Sequence, residues 1–321
     1  MGCSAHVPAV PLPVADTAPR EPSVADEEML SPLPQRMGFD WRAPGLVAVS
    51  EFISKAGKEV ELAYELHLCP DGERIRVRQD GHRIVTIMGI PGDDQRLAGA
   101  AEKMQPLFAA SPVVVVGGDG LVVEVVGADA QLDLAVPEGA IEPGKRVMLA
   151  LAKPRLAKMM EDRFTSIWNA WVGAWLPFNP RGEAVQRLTS ARDDELWGVE
   201  VERVGRDGPR LHLRLEQHEQ GGDFQEAEEL IRGHLRALGM GDALDLFVDA
   251  TFQRNTRWEV VTEPATSRLR QARTWREIVV TFADGSTEAL VEEHRYQFDW
   301  QAGQGRAPGC DGEPQEGAEA K

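Results

Sequence analysis

Alternation of apolar and polar residues on both sides of short turns is the feature that most limits how this chain folds. In VELAYELHLCPDGERIRVRQ every second residue from Val60 to Leu68 is apolar, and the pattern resumes at Ile75 after the turn Pro70-Asp71-Gly72. A period of two with a central turn is typical of an antiparallel hairpin that has one apolar face. The same scheme recurs over residues 197–218 and 276–298. The sequence therefore predicts a mostly antiparallel sheet.

Three helical segments are expected between the strand blocks. Residues 93–108 and 223–238 each begin at an Asp that can cap a helix, and the longest helix is expected after Pro154 and before Pro177. We therefore predict an α+β fold: a large twisted antiparallel sheet, half-barrel-like, with about three helices, of which a long Trp-lined one lies across the sheet.

The distribution of Pro and Gly predicts three regions. Residues 1–38 are rich in Pro and Ala without apolar periodicity, which predicts a disordered tether. Residues 39–300 are expected to form a single α+β globular domain, with two pseudo-equivalent halves as an alternative. Residues 301–321 are expected to be a disordered acidic tail.

Composition excludes some functions and restricts the disulfides. The formal net charge of −17 argues against binding nucleic acid or anionic membrane surfaces through phosphate neutralisation. No apolar run approaches the roughly 18 residues of a membrane span. The three cysteines, Cys3, Cys69 and Cys310, allow at most one bridge, for which Cys69 and Cys310 are the candidate pair.

The long predicted helix carries an aromatic stripe. At 100° per residue one side of it presents Met160, Phe164, Trp168, Trp171 and Trp175, while polar residues such as Ser166 and Asn169 occupy the other. Such a stripe either packs on the apolar face of the sheet or lines a groove for an apolar ligand. These five residues are the candidate ligand-binding residues.

A glycine loop lies between two Val-rich runs in PVVVVGGDGLVVEVVG. Its residues Gly117, Gly118, Asp119 and Gly120 resemble the GGDG phosphate loop of lipid kinases of the diacylglycerol-kinase type. The resemblance implies that backbone N–H groups of the loop cradle phosphate. The β-branched segment Val122–Val126 stands where that family has a helix, so a strand-turn-strand is the alternative.

Motifs for metal binding and nucleophilic catalysis are absent from the sequence. Four histidines occupy polar strand positions, namely His67, His212, His218 and His294; no His-x-His, His-Glu-x-x-His or Cys-x-x-Cys occurs, and no Gly-x-Ser-x-Gly is present. We therefore expect no metal, no cofactor and no enzymatic activity.

The N-terminal Gly2-Cys3-Ser4 resembles the end of a bacterial lipoprotein signal, in which the cysteine is diacylated and becomes the mature N-terminus. The resemblance implies a chain anchored through Cys3 in the cell envelope; a cytoplasmic, unmodified chain and myristoylation at Gly2 are the alternatives.

The tether and the expected sheet together resemble envelope lipoproteins and carriers of the LolA-like half-barrel type. This resemblance implies a hydrophobic groove under a helix that binds acyl chains or an apolar segment of a partner protein. We therefore expect a non-enzymatic envelope lipoprotein that binds an apolar small molecule, a lipid or an envelope protein. A lipid-kinase-like phosphotransferase and a purely structural interaction protein are the alternatives.

Overall fold

The computed structural model describes residues 33–42, 45–97, 99, 111–135, 143–188, 200–220 and 250–303. Most of this part of the chain forms a single 12-stranded sheet. Its strands are β1 Leu46–Lys55, β2 Lys58–Asp71, β3 Arg74–Ile87, β4 Ile90–Pro91, β5 Val113–Val116, β6 Val122–Val126, β7 Val185–Arg187, β8 Glu200–Asp207, β9 Arg210–Gln220, β10 Thr251–Glu263, β11 Arg268–Thr281 and β12 Thr287–Asp299.

The strands follow the order β6-β5-β3-β2-β1-β12-β11-β10-β9-β8-β7, and β4 pairs with β3 at the side. β1 and β12, the first and last long strands, pair with each other at the centre of the sheet. This pairing is antiparallel, like the hairpin pairings on either side of it. The large antiparallel sheet that the alternation predicts is therefore confirmed. All three predicted hairpins are present as β2–β3, β8–β9 and β11–β12.

The helices differ from the prediction. The described residues contain two α-helices, α1 Ala128–Ala135 and α2 Pro143–Trp171, followed by a short 3₁₀ turn at Gly173–Trp175. The predicted helix at 223–238 and most of the one at 93–108 lie outside the described residues, whereas α1 was not predicted. The described protein is mostly sheet with two helices rather than an evenly mixed α+β fold with three.

The predicted start of the long helix after Pro154 is wrong. The helix begins at Pro143, and Pro154 lies inside it. A proline removes one backbone donor and is disfavoured by about 3 kcal/mol inside a helix, so it usually marks a boundary. Here the helix continues past it, because packing of the C-terminal half against the sheet outweighs the local cost.

The core lies between the C-terminal end of α2 and one face of the sheet. Buried strand residues on this face include Leu66, Leu68, Leu213, Leu215 and Phe298. Trp168, Trp175 and Phe178 pack against them from the helix and the segment that follows it. The apolar face predicted for the β2–β3 and β8–β9 hairpins is therefore the core face.

The opposite face of the sheet is polar and carries ion pairs between neighbouring strands. Arg214 pairs with Glu259 at 3.0 Å, and Arg273 pairs with Glu293 at 2.7 Å. Because one face is apolar and the other charged, a shift of register by one residue would bury charges, and the pairing is strongly specified.

Residues 33–42 pack onto the body of the protein. The buried Trp41 donates its indole N–H to the carbonyl oxygen of Ser267 at 3.0 Å. The backbone N–H of Gly38 donates to the carbonyl oxygen of Pro264 at 2.8 Å. Met37 is also buried. The predicted domain boundary at 38/39 therefore falls within a segment that packs against the turn between β10 and β11, while residues 1–32 lie outside the described part.

Candidate binding groove

The tryptophans of the predicted stripe lie in the core. Trp168, Trp171 and Trp175 are 1%, 3% and 1% exposed, and Met160 and Phe164 are partly buried. The indole N–H of Trp168 donates to the carbonyl oxygen of Gly120 at 2.8 Å, and that of Trp175 donates to the carbonyl oxygen of Ala170 at 2.8 Å. Much of the stripe thus packs the helix onto the sheet, and ligand binding by these five residues stays a prediction.

A groove lies beside the stripe, between α2 and the part of the sheet that the helix does not cover. Its volume is about 490 Å³. The helix contributes Asp162, Arg163, Ser166, Asn169 and Trp171, and strands β10 to β12 contribute Trp258, Thr274, Arg276, Glu292, His294 and Tyr296. Sequence reasoning assigned the polar side of the helix to solvent, and that side forms one wall of the groove.

Aromatic side chains supply the apolar surface of the groove. The rings of Trp171 and Tyr296 meet edge to face with centroids 5.1 Å apart, and Trp258 lies nearby on β10. The indole N–H of Trp171 is buried and has no hydrogen-bond partner among the described residues. A buried donor without an acceptor costs about 1–3 kcal/mol.

The charges along the groove are unevenly paired. Asp162 forms an ion pair with Lys158 at 2.7 Å on the solvent side of the helix. Glu292 is paired with Arg276 and with His294. Arg163, by contrast, forms neither a hydrogen bond nor an ion pair within the described part of the chain. An exposed guanidinium therefore lies at the groove without a carboxylate partner among the described residues.

A histidine between two carboxylates forms part of the groove floor. The Nδ1 of His294 lies 2.9 Å from Oε1 of Glu51, and its Nε2 lies 3.2 Å from Oε1 of Glu292. A carboxylate oxygen lies at hydrogen-bond distance from each ring nitrogen, so this geometry suits the imidazolium form, which has two N–H donors. Burial opposes that form, but the hydrogen bonds to Glu292 and Glu51 outweigh it and raise the pKa of His294.

The neighbours of His294 complete a buried polar cluster. The hydrogen bond from His294, followed by that from Arg276, holds the pKa of Glu292 well below its ordinary value. Burial, together with the nearby Glu51, raises the pKa values of Tyr64 and Tyr296 well above 10, so both phenols stay protonated. The cluster is a set of protein groups that hold one another in place.

The glycine loop is a tight turn between two strands. Within it the N–H of Gly117 donates to the carbonyl oxygen of Leu121 at 2.9 Å, and that of Gly120 donates to the carbonyl oxygen of Gly117 at 2.9 Å. The N–H of Leu121 donates to Oδ1 of Asp119 at 3.1 Å. These three amides are occupied by the turn itself, and a strand follows it, as the alternative to the kinase resemblance predicted.

The described residues bear on the expectations about metal ions, membrane spans and the disulfide. The described ranges hold no group of three or more His, Cys, Asp or Glu residues arranged for a metal ion. Neither described helix combines the length and apolar character that spanning a membrane requires. Cys69 is disulfide-bonded, while Cys3 and Cys310 lie outside the described residues.

Comparisons with known proteins do not place the chain in a family. No protein-family model matches it, and no curated protein matches it. Among solved structures it is similar to one of lipovitellin, described as "Lipid-protein interactions in lipovitellin", with a TM-score of 0.41 and 9% identity over 80% of this chain and 25% of that one. The chain thus spans about a quarter of that solved chain. A likeness of this size assigns neither a fold family nor a ligand.

Proposed function

We propose that this chain is a non-enzymatic binding protein of the bacterial cell envelope that takes an apolar or amphiphilic small molecule into the groove beside Trp171. The observation that carries the proposal is the groove itself. Its volume of about 490 Å³ falls within the roughly 300–1,000 Å³ of small-molecule sites, and aromatic residues line it together with a larger number of polar and charged ones.

The position of the groove favours binding over a purely structural role. A protein whose helix only fills a core would show no cavity beside Trp168, Trp171 and Trp175. Here Trp171 contacts Phe298 of the core on one side, with ring centroids 5.2 Å apart, and lines the groove on the other. The apolar part of a guest beside Trp171 would therefore lie next to the core, while the polar and charged residues of the groove would face the rest of the guest. We also propose that the sheet and the helix α2 form a half-barrel of the LolA-like carrier type.

The test is a titration with the neutral apolar dye N-phenyl-1-naphthylamine, whose emission rises when it leaves water. We expect saturable enhancement with the native chain and at least a tenfold weaker response from Ser166→Phe, which places a ring at the groove wall. Met159→Phe is the matched control, because it adds the same ring at an exposed position of the same helix. Equal binding by all three proteins would contradict the proposal.

The location rests on Cys3, which we propose carries the lipid anchor. The disulfide at Cys69 supports an extracytoplasmic location, because disulfides persist in oxidising compartments and are rare in the cytosol. Metabolic labelling with an alkyne-bearing fatty acid should mark the native protein and not Cys3→Ser. Labelling of both proteins, or of neither, would contradict the anchor.

A lipidated Cys3 has no thiol left for a bridge, so the partner of Cys69 would be Cys310. We expect Cys310→Ser to expose one titratable thiol at Cys69 in the unfolded, unreduced protein. Cys3→Ser is the control and should leave Cys69 blocked. The reverse result would place the bridge at Cys3 and remove the anchor.

A further inference from the structure

The charge of the groove differs in sign from that of the whole chain. The chain has a formal net charge of −17, yet the groove is lined by Arg163, Arg254 and Arg276 against only two carboxylates. Asp162 is paired with Lys158, Glu292 is paired with Arg276 and His294, and His294 also contacts Glu51, so Arg163 is the lining arginine that has no carboxylate partner among the described residues. A local cationic site in a strongly acidic protein attracts an anion that the remaining surface repels.

The polar groups along the groove that lack a partner among the described residues are hydrogen-bond donors. Arg163 has no hydrogen bond or ion pair within the described ranges, and the indole N–H of Trp171 has no acceptor there. The guanidinium of Arg163 acts on Tyr296 at the groove floor: burial raises the pKa of Tyr296, and the positive charge of Arg163 lowers it. Carboxylate, sulfate and phosphate oxygens accept hydrogen bonds without needing to donate, so they complement this set.

The apolar part of the ligand follows from the other wall. Trp258 is partly exposed and presents aromatic surface to the groove, and the buried Trp171 beside the groove joins it to the core through Phe298. A small inorganic anion would leave this surface in contact with water, and a neutral alkane would leave the guanidinium unpaired. A molecule that has an apolar chain and an anionic head satisfies both.

We propose that the ligand of this groove is a single-chain amphiphile with an anionic oxygen headgroup, recognised by Arg163. The inference rests on the proposed function, since it specifies what the groove binds. It places the apolar chain against Trp258 and Trp171 and the headgroup at the Arg163 end of the groove.

The test compares three dodecyl compounds, each below its micelle concentration, by calorimetric titration: dodecanoate, 1-dodecanol and dodecyltrimethylammonium. We expect dodecanoate to bind at least tenfold more tightly than 1-dodecanol, and the cationic compound to bind most weakly. Monododecyl phosphate as a fourth ligand distinguishes a carboxylate preference from a phosphate preference. A charge-assisted hydrogen bond contributes enough for a tenfold or greater difference.

Two variants keep the experiment decisive. Arg163→Gln removes an exposed charge without a protein partner among the described residues, so the fold is expected to survive, and dodecanoate affinity should fall about tenfold or more while 1-dodecanol binding stays unchanged. Arg155→Gln, exposed on the same helix outside the groove, is the control and should change neither.

The outcomes separate the two proposals. If the native protein binds dodecanoate and 1-dodecanol equally, or Arg163→Gln weakens both alike, the headgroup inference is overturned and the apolar binding function stands. If none of the compounds binds, both are overturned.

Discussion

Gly120 is the residue whose replacement most directly tests whether the glycine loop serves packing. Its φ of +84° favours glycine, and a Cβ added there would lie 2.8 Å from Cγ of Phe39 and 2.9 Å from Cδ1 of Leu176. Its carbonyl oxygen also accepts the indole N–H of Trp168. These contacts explain the glycine by packing, without a phosphate.

The cost of Gly120→Ala has two parts. A positive φ costs about 1–2 kcal/mol for a residue with a Cβ, and overpacking costs about 1–3 kcal/mol. The sum is about 2–5 kcal/mol of lost stability. Gly285→Ala isolates the first part, because Gly285 has a similar φ of +82° and open space around its Cβ position. We expect that control to lose only about 1–2 kcal/mol.

Urea unfolding followed by tryptophan fluorescence measures both variants. Because Trp168 contacts the loop, its emission reports the unfolding of this region. We expect Gly120→Ala to be less stable than Gly285→Ala by about 1–3 kcal/mol with little change in the slope against urea. Equal losses in the two variants would refute the packing argument and restore phosphate binding as the role to test for this glycine.

Three further predictions concern the cluster, the stripe and the first described segment. The pKa of His294 is raised by folding, so the stability it contributes is present below about pH 6.5 and is lost as pH rises through the folded pKa; His294→Gln should therefore destabilise more at pH 6 than at pH 9 in urea titrations. In thermal unfolding, Trp168→Phe should lower the free energy of unfolding by about 1–3 kcal/mol more than Trp171→Phe does, because only Trp168→Phe removes a hydrogen bond. Gly38→Ala, whose Cβ would lie 2.0 Å from the carbonyl oxygen of Ala265, should lower the unfolding midpoint markedly, and an unchanged midpoint would contradict the docking of residues 33–42.

The sheet was predictable because its signals are local. Alternation from Val60 to Leu68 and around the other two turns marks both the strand and its buried face, and the turn sequences place the reversals. The extent of β3 and β11 was less visible. β3 continues past the predicted hairpin through polar positions such as Asp80, and β11 begins before it at Arg268 and passes through Arg273; the alternation of apolar residues does not reveal these stretches.

The groove could not be predicted, because it depends on where the helix stops covering the sheet. Ser166 and Asn169 look like ordinary solvent-facing helix positions, and nothing in their spacing shows that strands β10 to β12 lie opposite them. A signal was present in the strands instead. Residues that face the helix side change from apolar to polar along β12, and an unexpected polar position on a core face is a reason to look for a site.

That change along β12 also bears on what the groove is for. Successive residues on the helix-facing side are Phe298, Tyr296, His294, Glu292 and Leu290, and their exposure rises from 2% at Phe298 to 42% at Leu290. Burying a histidine and a carboxylate beside aromatic rings costs stability that a leucine or valine would not, and it needs partners from Glu51 and Arg276 to be tolerated. A sheet selected only for stability would keep the apolar residues that the core already uses. The proposed guest, apolar at the Phe298 end and polar further along the strand, would match this interval, and the dodecyl series tests that polarity.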